Sequence, residues 1–344
     1  MQKILSVAIG LALAQFVSTP IFAADATEDF IDVNESLSLD NTSQAQTKTF
    51  NFGKNVIYTR NGKIALNGQG GKKDLTINVK NGSGDFIVRD RYAPIQLDNS
   101  DIHLKFNSNL VMEGMEYAGI MYSSGNVPRE LNITGDFIYR DSYATAIEAS
   151  TGNFRGNLFV ITIDGKADLR NVSIHGNGKT TASGSLLNLG ATDFEAKQGV
   201  FIDNIDGNTA GDWNTAIFLV NGSLKAENQN IEITNINFNV ASRVNTSIYV
   251  QSSPVKAKNI LIKGLTNKYD NDLYGYINGT EANTVSDSLT ICDIRNLKTG
   301  NSLALYMEAD SRSRYGDTNF NVGTLTIDNV VANDGIAEGM SVGG

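Results

Sequence analysis

The chain has 344 residues, with 33 glycines, only 4 prolines, a single cysteine and a formal net charge of −9. An acidic surface of this kind repels phosphate backbones and anionic membrane surfaces, so nucleic acid is not an expected partner. One thiol excludes a framework of intramolecular disulfides, and the length exceeds what one ordinary globular core organises.

Taken in order, residues 1–26 read as a secretory signal. Lys3 supplies the positive end, Ile4 to Val17 is an apolar run, and Ser18-Thr19-Pro20 breaks it before cleavage expected after Ala23 or Ala26. The run is short for a membrane span, and no later segment approaches the roughly 18 apolar residues that a transmembrane helix needs. The mature chain is therefore expected to leave the cytoplasm. Residues 27–130 read as an N-terminal cap and irregular first coils. An acidic lead-in anchored by Phe30, Ile31 and Val33 is followed by strand-like pieces at Val56-Ile57-Tyr58, Ile64-Ala65-Leu66 and Leu75-Thr76-Ile77-Asn78-Val79, separated by Gly and Asn turns.

Residues 131–344 carry the regular pattern. The stretch Ile231-Glu232-Ile233-Thr234-Asn235-Ile236 alternates apolar and polar, then places a small polar residue before another apolar one. Close copies occur at Ala167/Leu169/Asn171/Val172, Val200/Ile202/Asn204/Ile205, Ile260/Ile262/Gly264/Leu265, Leu289/Ile291/Asp293/Ile294 and Leu325/Ile327/Asn329/Val330. A motif returning about every 30 residues marks a solenoid, in which each unit buries its apolar face only against its neighbours. Before the motif come Phe194-Glu195-Ala196, Leu224-Lys225-Ala226 and Val255-Lys256-Ala257. After it come Ile217-Phe218-Leu219, Ile248-Tyr249-Val250, Gly275-Tyr276-Ile277, Leu305-Tyr306-Met307 and Met340-Ser341-Val342. The fold class that follows is all-β: a right-handed parallel β-helix whose coils each contain three short strands. Asn, Gly and Asp at the end of the motif tolerate the left-handed backbone that a corner requires.

Alternation sorts the remaining positions. Cys292 falls on the outside of its strand, where the other coils carry Arg170, Asp203, Thr234, Lys263 and Asp328. In the third strands, Phe218, Tyr249, Tyr276 and Tyr306 occupy the apparent outward position of four successive coils. In-register stacking would set such rings about 5 Å apart as an aromatic strip, which either binds a partner or packs beneath loops. These four residues are the candidate binding site.

Catalytic and metal constellations are thin. His103 and His175 fall in different coils and lack metal-ligand spacing. Asp270-Asn271-Asp272 reads as an Asp-rich turn before it reads as a calcium or acid site. Ser183-Gly184-Ser185 is a turn, not a nucleophile elbow, and Gly178-Lys179-Thr180 lacks the first glycine of a phosphate loop. No catalytic residue, metal or cofactor is therefore expected.

The export signal, the scarcity of cysteine and coils of the form Leu224-Lys225-Ala226-Glu227-Asn228-Gln229-Asn230-Ile231-Glu232-Ile233-Thr234-Asn235-Ile236 resemble the β-helical passenger of a Gram-negative autotransporter. The resemblance lies in repeat style and covers roughly residues 50–344. It implies surface display or release, an adhesin-like role, and a host or neighbouring-cell glycan or protein as partner. It also implies an outer-membrane translocator barrel. The sequence shows no such barrel before Gly344, so a passenger truncated at its C-terminal side is expected. A polysaccharide-active lyase or hydrolase and a structural stalk without its own ligand are the competing readings.

Overall fold

The computed structural model describes residues 29–39, 43–58, 64–67, 71–89, 94–98, 101–122, 128–149, 159–175, 184–209, 213–240, 242, 244–308 and 317–343. The expected secretory signal lies outside these residues. Every strand pairing recorded among them is parallel, and the strands form two sheets of 17 and 10 strands. The chain is an all-β parallel solenoid with coils of about 30 residues, as the periodicity of its sequence requires.

The 10-stranded sheet is the column of third strands, running from Ile64–Asn67 through Gly184–Gly190, Trp213–Val220, Val244–Gln251, Leu273–Asn278 and Ser302–Glu308 to Ala337–Gly343. The 17-stranded sheet holds the first and second strands of the coils. In the later coils these two run together without a break, as Ser223–Phe238, Pro254–Asn267, Asn283–Thr299 and Asn319–Asp334. The coil therefore has fewer separate pieces than three short strands, because its corners bend the chain without interrupting the ladder. Stacking also reaches into the first 130 residues, where Lys73–Val79 pairs with both Gln46–Phe52 and Ile102–Asn107.

One column of side chains carries the core. Leu169, Ile202, Ile233, Ile262, Ile291 and Ile327 are consecutive register partners, and the first five are at most 1% exposed. Each strand donates and accepts in the coils below and above it, so alternation leaves these residues only the narrow interior. Two positions later the chain turns at Asn171, Asn204, Asn235, Gly264, Asp293 and Asn329, all with φ between 51° and 74°. The corner is thus a column of left-handed residues, extended downwards by Asp141 and Gly114. Side-chain amides tie it together: Asn204 Nδ2 donates to Asn171 Oδ1 at 2.9 Å and Asn329 Nδ2 to Asp293 Oδ1 at 2.6 Å.

The last described coil differs from those beneath it. Leu325 is 38% exposed and Met340 52%, whereas their register partners Leu289 and Leu305 are fully buried. Its strands have a partner on one side only among the described residues. Packing elsewhere in the column is dense, so truncating a central member removes both transfer energy and contacts. Ile262→Ala should lose about 2–5 kcal/mol in denaturant unfolding. A loss under about 0.5 kcal/mol would contradict the stacked core.

Candidate functional site

The outward row of the third-strand column follows directly from the register. It runs Gln96, Met121, Glu148, Asn188, Phe218, Tyr249, Ile277, Tyr306 and Ser341. Phe218 and Tyr249 stack with ring centroids 5.2 Å apart and planes 9° from parallel. Both are half-buried, as is Tyr306. Three of the four expected strip residues therefore lie in one outward row.

Tyr276 does not. Its register partners are Ile248 and Leu305, both interior residues, and it is fully buried. Aligning Gly275-Tyr276-Ile277 with Ile248-Tyr249-Val250 slips the strand by one residue, and a one-residue slip exchanges the two faces. The interior accepts the phenol because its hydroxyl meets Thr284 Oγ1 at 2.8 Å, while Thr284 Oγ1 donates to Asn278 Oδ1 at 2.7 Å. Burial pushes the Tyr276 hydroxyl far above its ordinary pKa, partly offset by the hydrogen bond with Thr284. The preceding Gly275 has no room for a side chain, since a Cβ there would stand 2.5 Å from the Ala304 carbonyl oxygen, 2.8 Å from Ile291 and 2.9 Å from Ile294. Ile277, 6% exposed, fills the gap between Tyr249 and Tyr306.

A residue that the sequence did not single out completes the face. Tyr274 lies edge-on to Tyr306, with centroids 6.0 Å apart. Its hydroxyl donates to Asp272 Oδ2 at 3.4 Å, and the Tyr249 hydroxyl donates to Gln251 Oε1 at 2.8 Å. Burial first, and the neighbouring carboxylates Asp272 and Glu308 second, push both phenols up to about 12. They remain neutral donors at any physiological pH. Because stacked rings occupy each other's faces, the Phe218–Tyr249 pair turns ring edges and a hydroxyl outward.

Further along the same row the chemistry changes. Glu148 accepts from Asn188 Nδ2 at 3.3 Å, and burial pushes its carboxyl up to about 7, partly offset by that hydrogen bond. The other sequence candidates are structurally engaged. Asp270 and Asp272 accept backbone N–H groups of Thr299 and Asn301 at 3.2 and 2.8 Å, so the Asp-Asn-Asp turn braces the next coil. His103 sits between Asp101 and Glu130, each 3.1 Å away. His175 is exposed beside Ser173 and Tyr143. Cys292 stands outward between Lys263 and Asp328, its thiol pushed up by partial burial and by Asp293. Among the described residues no group of three His, Cys, Asp or Glu side chains is placed to hold a metal ion. Ser183 and the Gly178-Lys179-Thr180 stretch lie outside the described residues.

Comparison with protein-family models, with curated protein sequences and with solved structures finds no match.

Two measurements check this geometry. Tyr276→Phe should cost about 1–3 kcal/mol by leaving Thr284 Oγ1 short of a partner, whereas Tyr249→Ser should cost much less than truncation of a fully buried ring. For Glu148 the sign follows from its raised pKa. Between the unfolded value of 4.5 and about 7, the folded state keeps a proton that the unfolded chain releases, so stability falls as pH rises through that window. Glu148→Gln should therefore stabilise the protein at pH 8 relative to pH 4 by on the order of 2 kcal/mol, read from paired denaturation curves.

Proposed function

We propose that this chain is an exported, surface-displayed adhesin-like β-helix of the autotransporter-passenger type, and that it holds a partner protein against the face built by Phe218, Tyr249, Tyr274, Ile277 and Tyr306. The observation carrying this reading is the register itself. Four successive strands bring apolar and aromatic side chains to one outer surface, where alternation would ordinarily put polar ones. The solenoid is compatible with such a passenger, which would reach the surface through an outer-membrane translocator carried on a further segment.

A protein partner is favoured over a sugar at this face. Sugar rings bind aromatic side chains by stacking on ring faces, and the faces of Phe218 and Tyr249 are turned towards each other. Ring edges with phenol donors suit the mixed apolar and polar surface of a protein interface. No cofactor is invoked, and the role is binding, not catalysis. The polysaccharide-active alternative requires a carboxylic acid that stays protonated beside a carboxylate. Glu148 has the raised pKa, but on its own row its neighbours are Met121 and Asn188.

The test uses the secreted protein immobilised on a surface and intact target cells. Phe218→Ser combined with Tyr249→Ser should remove most adhesion while the melting curve stays close to that of the parent. Protease treatment of the cells should abolish adhesion and periodate should leave it. Adhesion that survives the double substitution would overturn the reading, and loss after periodate alone would move it to a glycan.

A further inference from the structure

A groove of about 420 Å³ lies on a different part of the surface, where the first strands turn into the second. Its origin is a difference in corner length. Between Ala226 and Asn230 the chain runs through Glu227, Asn228 and Gln229, whereas between the partner positions Ala257 and Asn259 there is only Lys258, and the ladder shifts register here. Asn228 takes a left-handed φ of 63° to accommodate the extra residues. The longer corner stands out as a wall. The shorter corners at Lys258, Asp287 and Gly323 form the floor, deepened by the missing side chain of Gly323.

The lining is balanced in charge and mixed in polarity. Lys256 pairs with Glu227, and that pairing holds the Glu227 carboxyl below its ordinary range. Lys258 and Asp287, one residue before the Asn259–Ser288 register pair, make no ion pair among the described residues. Val285, half-buried, contributes apolar surface beside them, and Asn228 and Asn321 add amides at the rim.

We propose that this groove is a second binding site, independent of the aromatic face, and that it takes a neutral saccharide of about two sugar units. Carboxylates and ammonium groups held side by side can accept from and donate to vicinal hydroxyls, while a sugar's C–H face can lie on Val285. Two carboxylates against two ammonium groups leave no net field to favour a polyanion. The volume fits a disaccharide, and the groove is open towards solvent so that a longer chain can continue beyond it.

The test is saturation-transfer NMR of the secreted protein with cellobiose, lactose and N,N′-diacetylchitobiose as separate probes. At least one should receive saturation on its ring C–H protons. Asp287→Ala and Lys258→Ala, both exposed and expected to fold normally, should each weaken that probe by about tenfold. Tyr249→Ser should leave it unchanged. The proposal is overturned if no probe binds, if binding persists in both groove variants, or if it is lost in Tyr249→Ser. It is equally overturned if a Lys- and Glu-containing tripeptide binds the groove while all three sugars are silent. None of these outcomes depends on adhesion through the aromatic face.

Discussion

Every feature of this molecule depends on in-register parallel pairing of each coil with the next. A parallel ladder binds backbone donors and acceptors only between coils, so no single coil can satisfy its own polar groups or bury its own apolar side. The left-handed corner makes that pairing repeatable. If one coil turned elsewhere, its Ile would miss the column of Leu169, Ile202, Ile233, Ile262 and Ile291, and every position beyond would exchange faces. Asn, Asp and Gly recur at the corner because a β-branched residue there would carry the strain of a positive φ in every copy.

This constraint fixes the interior more tightly than the exterior. A narrow stacked core has little slack between layers, and many of the polar side chains that enter it are matched to one another. Asn214, Asn245, Asn267 and Asn296 pass hydrogen bonds from coil to coil at 3.1–3.3 Å, all fully buried. Tyr276 is held in the same way by Thr284. The outer face has no such matching rule. Coils there can differ in corner length and in outward side chains, as the wall at Glu227 to Gln229 and the row from Glu148 to Tyr306 both show. The fold therefore tolerates variation on its outer face that its interior would not.

The same asymmetry explains what could be read from the sequence. The period, the inward Ile and Leu residues and the corner residues were legible, because each repeats in every coil under the same steric demand. The aromatic row was legible only in part. Phe218, Tyr249 and Tyr306 share a side, but Tyr276 and Ile277 are both apolar enough to satisfy either face, so alternation alone could not choose between them. What decides is a hydroxyl partner eight residues away, Thr284, which has no local signature. Tyr274 escaped notice because its place depends on the same register. The groove escaped because it arises from two extra residues in one corner relative to the next, a relation between coils that no single stretch displays.

The two ends of the described stack obey different rules. At the first, Lys48 occupies an inward register position opposite Leu75, and its ammonium lies 4.3 Å from the centroid of the Phe50 ring. An inward-pointing charge at a sheet edge resists the approach of another apolar edge, since docking would strip it of water without a partner. At the other end, the inward positions of the last described coil hold Leu325, Ile327, Val330 and Met340, with no charge among them. That edge has a paired strand on one side only among the described residues. Among the described residues the two ends of the column therefore differ in side-chain chemistry, with a charge at the first and an apolar row at the last.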